Sequence, residues 1–414
     1  MKHRMLIVFA CMASGFFACN SPEPKKPVQQ YKMDTLKKGS FGFDLDFLGS
    51  RDSGLVILKS SDTLAQIIVS PKYQAKVFTS TANGAAGKSY GWVNYKAFDE
   101  AVNTHMNAYG GEDRLWLGPE GGKFSLFFKP GAEMVFEQWH TPPAIDTESW
   151  QKETQTQQRV DLTKRLTITN YAGTKLDMRL ERSVSILSKA DMQSRLNISL
   201  PPGLKQVGFE TNNSIINTGS EEWTEATGIP CLWNLDMFNP SENCVIVIPY
   251  DTSATGKIAT TDYFGEIPSD RIKMDHGVLY FKADGKSRGK LGLSAARAKD
   301  VAGSYDAAAQ LLTIIKYDIH PEGKYLNQEW NTEKPVFSGD AMNAYNDGPL
   351  DQGGQMGPFY ELESVSPAAF LRPGQKMSHR HSVFHFEGEA SKLSAISSKL
   401  LGVSIGQIEN SWKQ

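Results

Sequence analysis

The sequence predicts an all-β fold of packed antiparallel sheets with few short helices. Three observations predict it. Runs of β-branched, aromatic and aliphatic residues are short and recur at near-regular spacing. Gly, Pro, Asn and Asp separate these runs, as turn residues separate strands. Helical periodicity is scarce by comparison. In chain order, strands are expected at 54–58, 125–128, 166–169, 178–186, 196–200, 245–248, 278–281 and 382–386. The stretch 170–174, Asn-Tyr-Ala-Gly-Thr, reads as a hairpin turn between two of them. Helices are expected at 304–315, where Ala307, Ala308, Ala309, Leu311 and Leu312 are strong helix formers, and at 391–401, where Leu393, Ile396 and Leu400 fall near helical spacing.

The N-terminus reads as an address. Lys2, His3 and Arg4 precede an apolar stretch over 5–17, which is shorter than the roughly 20 residues a spanning helix needs. Such a pattern is a secretory signal. Phe16-Phe17-Ala18-Cys19 places a small residue directly before a cysteine, as in a bacterial lipobox. Residues 1–18 are therefore expected to be a signal peptide and 19–35 a tether lipidated at Cys19, its composition too polar and Pro-rich to bury a core. The protein is expected to be exported and lipid-anchored in a bacterial cell envelope, in the periplasm or at the outer membrane. No composition shift after residue 31 marks another boundary, so 36–414 is expected to be a single domain. Cys231 and Cys244 flank a turn at 239–243. An exported compartment permits a bridge between them, and two separate buried thiols are the other reading.

Composition excludes several classes. The 44 basic and 46 acidic side chains leave a net charge of −2, which offers no basic face for nucleic acid. Hydrophobic residues at 40 % and charged ones at 22 % describe a globular chain rather than a disordered one. Four cysteines in 414 residues cannot build a disulfide scaffold, and one short apolar run excludes a polytopic membrane protein. No phosphate loop or dinucleotide turn is present, and no cofactor is expected.

Three segments, 107–122, 341–349 and 357–374, set Asn, Asp, Glu and Arg among aromatics and glycines. Sugars need that mixture: planar polar groups for their hydroxyls and an aromatic face for their C–H surface. Tight loops, with glycine supplying φ > 0 and Asx side chains satisfying backbone groups, produce the same composition. Arg114, Asp113, Glu120, Trp116 and Trp233, with Asn346 and Asp347, are the candidate substrate-binding residues, and Trp330 is a further stacking candidate. Arg114 forks to hydroxyls or pairs with a carboxylate. Asn346 and Asp347, just before Gly348-Pro349, also fit a turn.

The third segment resembles the C-terminal signature of the aldose 1-epimerase (galactose mutarotase) family: Glu363, then Pro367, then Leu371-Arg372-Pro373-Gly374 leading into a last strand. The first segment is similar to that family's Gly- and Arg-containing strand near the sugar. The resemblance covers roughly 40–390 and implies a large twisted antiparallel β-supersandwich and a carbohydrate ligand. It further implies a Glu general base, hence an isomerase or, on the same fold, a glycoside hydrolase, a lyase or a non-catalytic binding protein. Two departures stand out. Matching the family's Phe-Asn pair onto Phe238-Asn239 puts Leu235 where the family carries its acid histidine, and Glu363 is followed by Ser364-Val365 rather than Thr-Gln.

Ring opening needs a base at the anomeric hydroxyl and an acid at the ring oxygen. The resemblance makes Glu363 the base. Glu361 shares its strand face, two residues away, and competes for the role. Two such acids repel, so one holds a proton. His379, His381 and His385 share one face of the last strand. They serve either proton transfer, with His381 and His379 as the candidate acids, or a metal, or they form a solvated strand end. Their spacing is no recognised metal signature, and no metal is expected. His105, before the Gly-Gly motif, is weighed against a surface-loop role.

Overall fold

The computed structural model describes residues 36–350 and 353–412. The signal peptide, Cys19 and the tether lie outside the described residues. The fold is all-β, and the described residues form three antiparallel sheets. A ten-stranded sheet runs, edge to edge, Ile272–Asp275, Val278–Lys282, Cys244–Pro249, Val301–Asp306, Leu311–Tyr317, Lys376–Glu387, Lys205–Asn217, Lys175–Ile186, Arg159–Thr169 and Gln151–Gln155. A five-stranded sheet runs Gly289–Leu293, Met342–Asn346, Tyr360–Val365, Cys231–Phe238 and Arg114–Gly118. A three-stranded sheet, Val56–Lys59, Gln66–Ser70 and Lys76–Thr81, completes the set. The described α-helices are short: Phe41–Arg51, Lys189–Leu196, Ala390–Leu400 and Ile405–Glu409.

Every residue in the strands of the five-stranded sheet is buried, so both of its faces are covered. This is why Cys231–Phe238 reads as a run of apolar residues interrupted by Asn234 and Asp236 rather than as a clean alternation. The inner face, carrying Leu232, Asn234, Asp236, Leu362 and Ser364, packs on the ten-stranded sheet. Asn234 meets Asn213 at 3.1 Å and Asp236 meets His381 at 2.7 Å across that interface. The outer face carries the alternate residues, because side chains on a strand switch sides at every step.

Local expectations met the structure unevenly. The 170–174 turn joins Arg159–Thr169 to Lys175–Ile186, with Gly173 at φ 86°. The expected C-terminal helix is Ala390–Leu400. The helix expected at 304–315 is instead two paired strands, Val301–Asp306 and Leu311–Tyr317. Its alanines form only the connecting turn, in which Asp306 accepts from the Ala308 and Ala309 amides and Gln310 takes φ 47°. Three alanines supply too little helix preference to outweigh pairing of the β-branched residues Thr313, Ile314 and Ile315. The strand expected at 196–200 is the end of Lys189–Leu196, started by a Ser188–Asp191 capping box and stopped by Asn197 in the left-handed region. The strand expected at 125–128 is irregular loop, its Ser125 hydroxyl bonded to the Glu120 carbonyl. Cys231 and Cys244 are free and buried. They begin strands of different sheets, so the intervening turn forms no hairpin.

Gly110 leads into the Arg114–Gly118 strand at φ 88°, and a Cβ there would run into the Trp92 carbonyl. Backbone strain and steric overlap each cost about 1–3 kcal/mol. Gly110→Ala is expected to lower stability by about 3 kcal/mol, read as a reduced denaturant midpoint with unchanged slope.

Candidate functional site

Five strands bring the site together by register alone. Lys290 pairs with Tyr345, and Tyr345 with Glu361. Two residues along, Asn343 pairs with Glu363, Glu363 with Leu235, and Leu235 with Arg114. Trp233 pairs with Trp116. All of these share the outer face, since paired residues on adjacent strands point the same way. Most of them, together with Glu120, Trp139, Trp330 and other loop residues, line a cavity of about 140 Å3.

The electrostatics are set by burial. Arg114 donates from Nη2 to Glu361 Oε1 at 2.5 Å, with both side chains nearly closed to solvent. Lys290 Nζ and Trp233 Nε1 both donate to Glu363 Oε2, at 3.1 and 2.9 Å. The other oxygen of this fully buried carboxyl, Oε1, has no hydrogen-bond partner among the described residues. Trp330 Nε1 donates to Glu120 Oε1 at 3.0 Å. The cations also lie over aromatic faces: Arg114 is 5.1 Å from the Trp116 ring and Lys290 4.7 Å from that of Trp233.

Burial pushes the Glu361 carboxyl up to about 7; Arg114 pulls it down, and Glu363 pushes it up again. Burial also raises Glu120, against the pull of Lys290 and its bond from Trp330. For Lys290 burial opposes the charge, yet Glu363, Glu120 and Glu361 around it hold its pKa above the ordinary lysine value. The site therefore sets a carboxyl whose pKa burial raises beside the Lys290 ammonium and the Arg114 guanidinium.

The structure gathers Arg114, Trp116, Glu120, Trp233, Trp330 and Glu361 around one cavity, with Glu363 behind them. It places the other candidates elsewhere. Asp113 is on the interior side, held by Asn234, Thr211 and Arg182 at 2.8, 2.8 and 3.2 Å. Asn346 tethers a loop through the Gly285 amide and Ser287 carbonyl, and Asp347 accepts from the Tyr345 hydroxyl and the Gly357 amide. These are turn-fixing roles. His379 and His381 both bond the Ser364 hydroxyl at 2.8 Å, and His385 bonds Glu112 at 2.8 Å. All three are buried between the sheets and belong to the face away from the cavity, because Ser364 and Glu363 point to opposite sides of one strand. Neither His379 nor His381 reaches the cavity as an acid. Among the described residues no group of three or more His, Cys, Asp or Glu side chains is placed to hold a metal ion.

Sequence reading missed Lys290, Trp139 and Arg288, all of which line the cavity, as does Tyr345 of the 341–349 segment. Lys290 had a signal: a lone cation inside Gly-Lys-Leu-Gly-Leu, a strand otherwise without polar side chains.

A model of a family of unknown function, DUF6786, matches residues 39–412. The chain belongs to the DUF6786 family. No functionally curated protein matches the sequence. Among solved structures, this DUF6786 chain is similar to a galactose mutarotase-like protein from Lactobacillus casei ATCC 334, at 12 % identity over 80 % of this chain and 100 % of that one, TM-score 0.47. It is similar to the GalM/aldose epimerase homologue from C. elegans, at 10 % identity over 81 % and 100 %, TM-score 0.44. It is also similar to the Slr1438 protein from Synechocystis sp. PCC 6803, at 14 % identity over 81 % and 96 %, TM-score 0.47. What the cavity can do follows from its own side chains.

The interior histidines carry a pH dependence. Burial raises Asp236 to about 7, against the pull of His381. Burial opposes charge on His381, but Asp236 beside it, with Asp113, raises the His381 pKa above 6.5. The folded pair thus keeps a proton that an unfolded His381 releases, and its stabilisation is lost as pH rises through the raised pKa. Burial, then His381, push His379 down to about 3, so the unfolded chain gains a proton below pH 6.5 that the folded one refuses, which costs stability on that side. Asp236, raised from 3.8 to about 7, keeps a proton that the unfolded carboxyl releases, which offsets the His379 loss on the acid side. The melting temperature is therefore expected to stay nearly level from about pH 4 to about pH 6.5 and to fall above about pH 7, and Asp236→Asn is expected to flatten that fall.

Proposed function

We propose that the cavity binds a carbohydrate ring and exchanges protons with it, as an epimerase of the mutarotase kind does. The observation that carries this reading is Glu361: a carboxyl held near pKa 7 in a cavity walled by Trp116, Trp139, Trp233 and Trp330. A proton-transfer group works best when its pKa lies near the working pH. Ionised, Glu361 takes the anomeric hydroxyl proton. Glu120, whose carboxyl burial raises, gives a proton to the ring oxygen as the C1–O5 bond breaks. The open aldehyde rotates about C1–C2, and the reverse transfers close the other anomer, so no co-reactant is consumed. Arg114 and Lys290 offset negative charge as it develops. The tryptophan faces hold the sugar's C–H surface. Glu363 acts through others: its Oε2 fixes Lys290 and the Trp233 ring. Glu361, not Glu363, is the proton carrier in this account, because Glu361 lines the cavity and Glu363 is sealed from it.

Glu361→Gln is expected to lower anomer exchange, followed by two-dimensional NMR, by about 10²-fold or more while leaving sugar binding within about twofold. An unchanged rate would contradict the assignment. A second reading, a binding protein without catalysis, is favoured by Leu235 at the family's acid-histidine position. It predicts calorimetric sugar binding with no exchange in the wild type.

The N-terminal pattern supports a further proposal: the protein is exported and anchored in a bacterial envelope by lipid on Cys19. Cys19→Ser is expected to move the protein from the detergent phase to the aqueous phase in Triton X-114 partition. Retention in the detergent phase would count against the lipid anchor.

A further inference from the structure

Beside the cavity runs a groove of about 860 Å3, against about 140 Å3 for the cavity itself. The two share Met106, Phe136, Trp139 and Met356 as lining residues, so they lie side by side. The cavity is smaller than the roughly 300–1,000 Å3 that encloses a drug-sized ligand, and suits one ring. The groove falls inside that range.

The groove repeats the cavity's chemistry on a larger scale. His140, His105 and Phe136 stack in series: His105 lies 4.7 Å from His140 at 9° and 4.6 Å from Phe136 at 18°. The series continues through Trp139, 6.2 Å from Phe136 at 21°, to Trp330 in the cavity, 6.0 Å further at 26°. His105 is fixed by its 2.6 Å bond from Nδ1 to the Trp139 carbonyl. Phe136 is 57 % exposed, so a large aromatic ring is held at a set angle facing solvent. Stacked rings cover one another's faces, so the groove meets the rim of this stack and the exposed part of Phe136, an apolar wall at fixed geometry for the C–H sides of successive sugar rings. Amides from Asn94, Asn103 and Gln355 line the same groove and suit hydroxyls as donors and acceptors.

We propose that the groove holds further sugar residues, so that the substrate class is a reducing oligosaccharide rather than a free monosaccharide. This rests on the sugar-binding reading of the cavity. The reducing-end ring sits in the cavity with its anomeric carbon toward Glu361. The next ring, joined through a non-anomeric hydroxyl, passes over Trp139 onto the Phe136–His105 shelf.

The test is calorimetry of the full chain with glucose, galactose and mannose and with the linear di-, tri- and tetrasaccharides of each. Affinity is expected to rise about tenfold or more from monosaccharide to trisaccharide in at least one series. Ala101→Trp fills the exposed wall of the groove away from the cavity. It is expected to remove that gain while the monosaccharide affinity stays unchanged. His105→Ala, which takes the middle ring out of the shelf, is expected to reduce the gain as well. Monosaccharide binding with no gain along any series overturns the oligosaccharide proposal alone, as does a gain that persists in both variants. Absence of binding by every sugar overturns the proposal together with the cavity reading beneath it.

Discussion

The site depends on keeping charge out of water. On one face of the five-stranded sheet, Glu361, Glu363, Arg114 and Lys290 are all buried, with Glu120 partly so. Removing a single ion from water costs several kcal/mol even after relaxation. The arrangement persists because each carboxylate has a donor held close to it: Arg114 for Glu361, Lys290 and Trp233 for Glu363, Trp330 for Glu120. Strand pairing fixes Arg114, Lys290 and Trp233 to within a residue. Burial lifts the Glu361 pKa into the working range, while among the surrounding charges Arg114 and Lys290 pull it down against the push of Glu363 and Asp347.

A second consequence of strand geometry is the separation of two polar systems. The period of two sends Glu361 and Glu363 outward and Tyr360, Leu362 and Ser364 inward. Inward, the chain builds a closed network of Asp113, Arg182, Asn213, Asn234, Asp236 and the strand's histidines between the sheets. Outward, it builds a cavity open to a ligand. The inner network braces the strand carrying Glu361, since Ser364 holds both His379 and His381 one residue away from Glu363.

This division explains what could be read from sequence. The all-β class was legible, because short apolar runs between turn residues have few other uses. So were Arg114, Trp116, Glu120, Trp233, Glu361 and the shared face of the three histidines, since alternation is local. Which face meets a second sheet and which meets ligand depends on long-range pairing, and there local pattern gave no guide. His379 and His381 were therefore aligned correctly with each other, but they lie on the side of Glu363's strand away from the cavity. Asp113 and Arg114 show the same effect: adjacent in sequence, one ends inside the sandwich and the other in the cavity. Lys290 arrives from another strand with no motif around it, and the shelf of His105, Phe136 and Trp139 comes from irregular loops whose course no periodicity encodes.

The most direct measurement is the ionisation of Glu361 itself, followed by carboxyl carbon-13 NMR and assigned by the signal that disappears in the Glu361→Gln variant. The account predicts a midpoint of about 7, set by burial beside a second acid. A midpoint at or below the ordinary glutamate value of 4.5 would mean that Arg114 and Lys290 outweigh burial and keep the carboxyl ionised at neutrality, and would contradict a proton-exchanging role for this cavity.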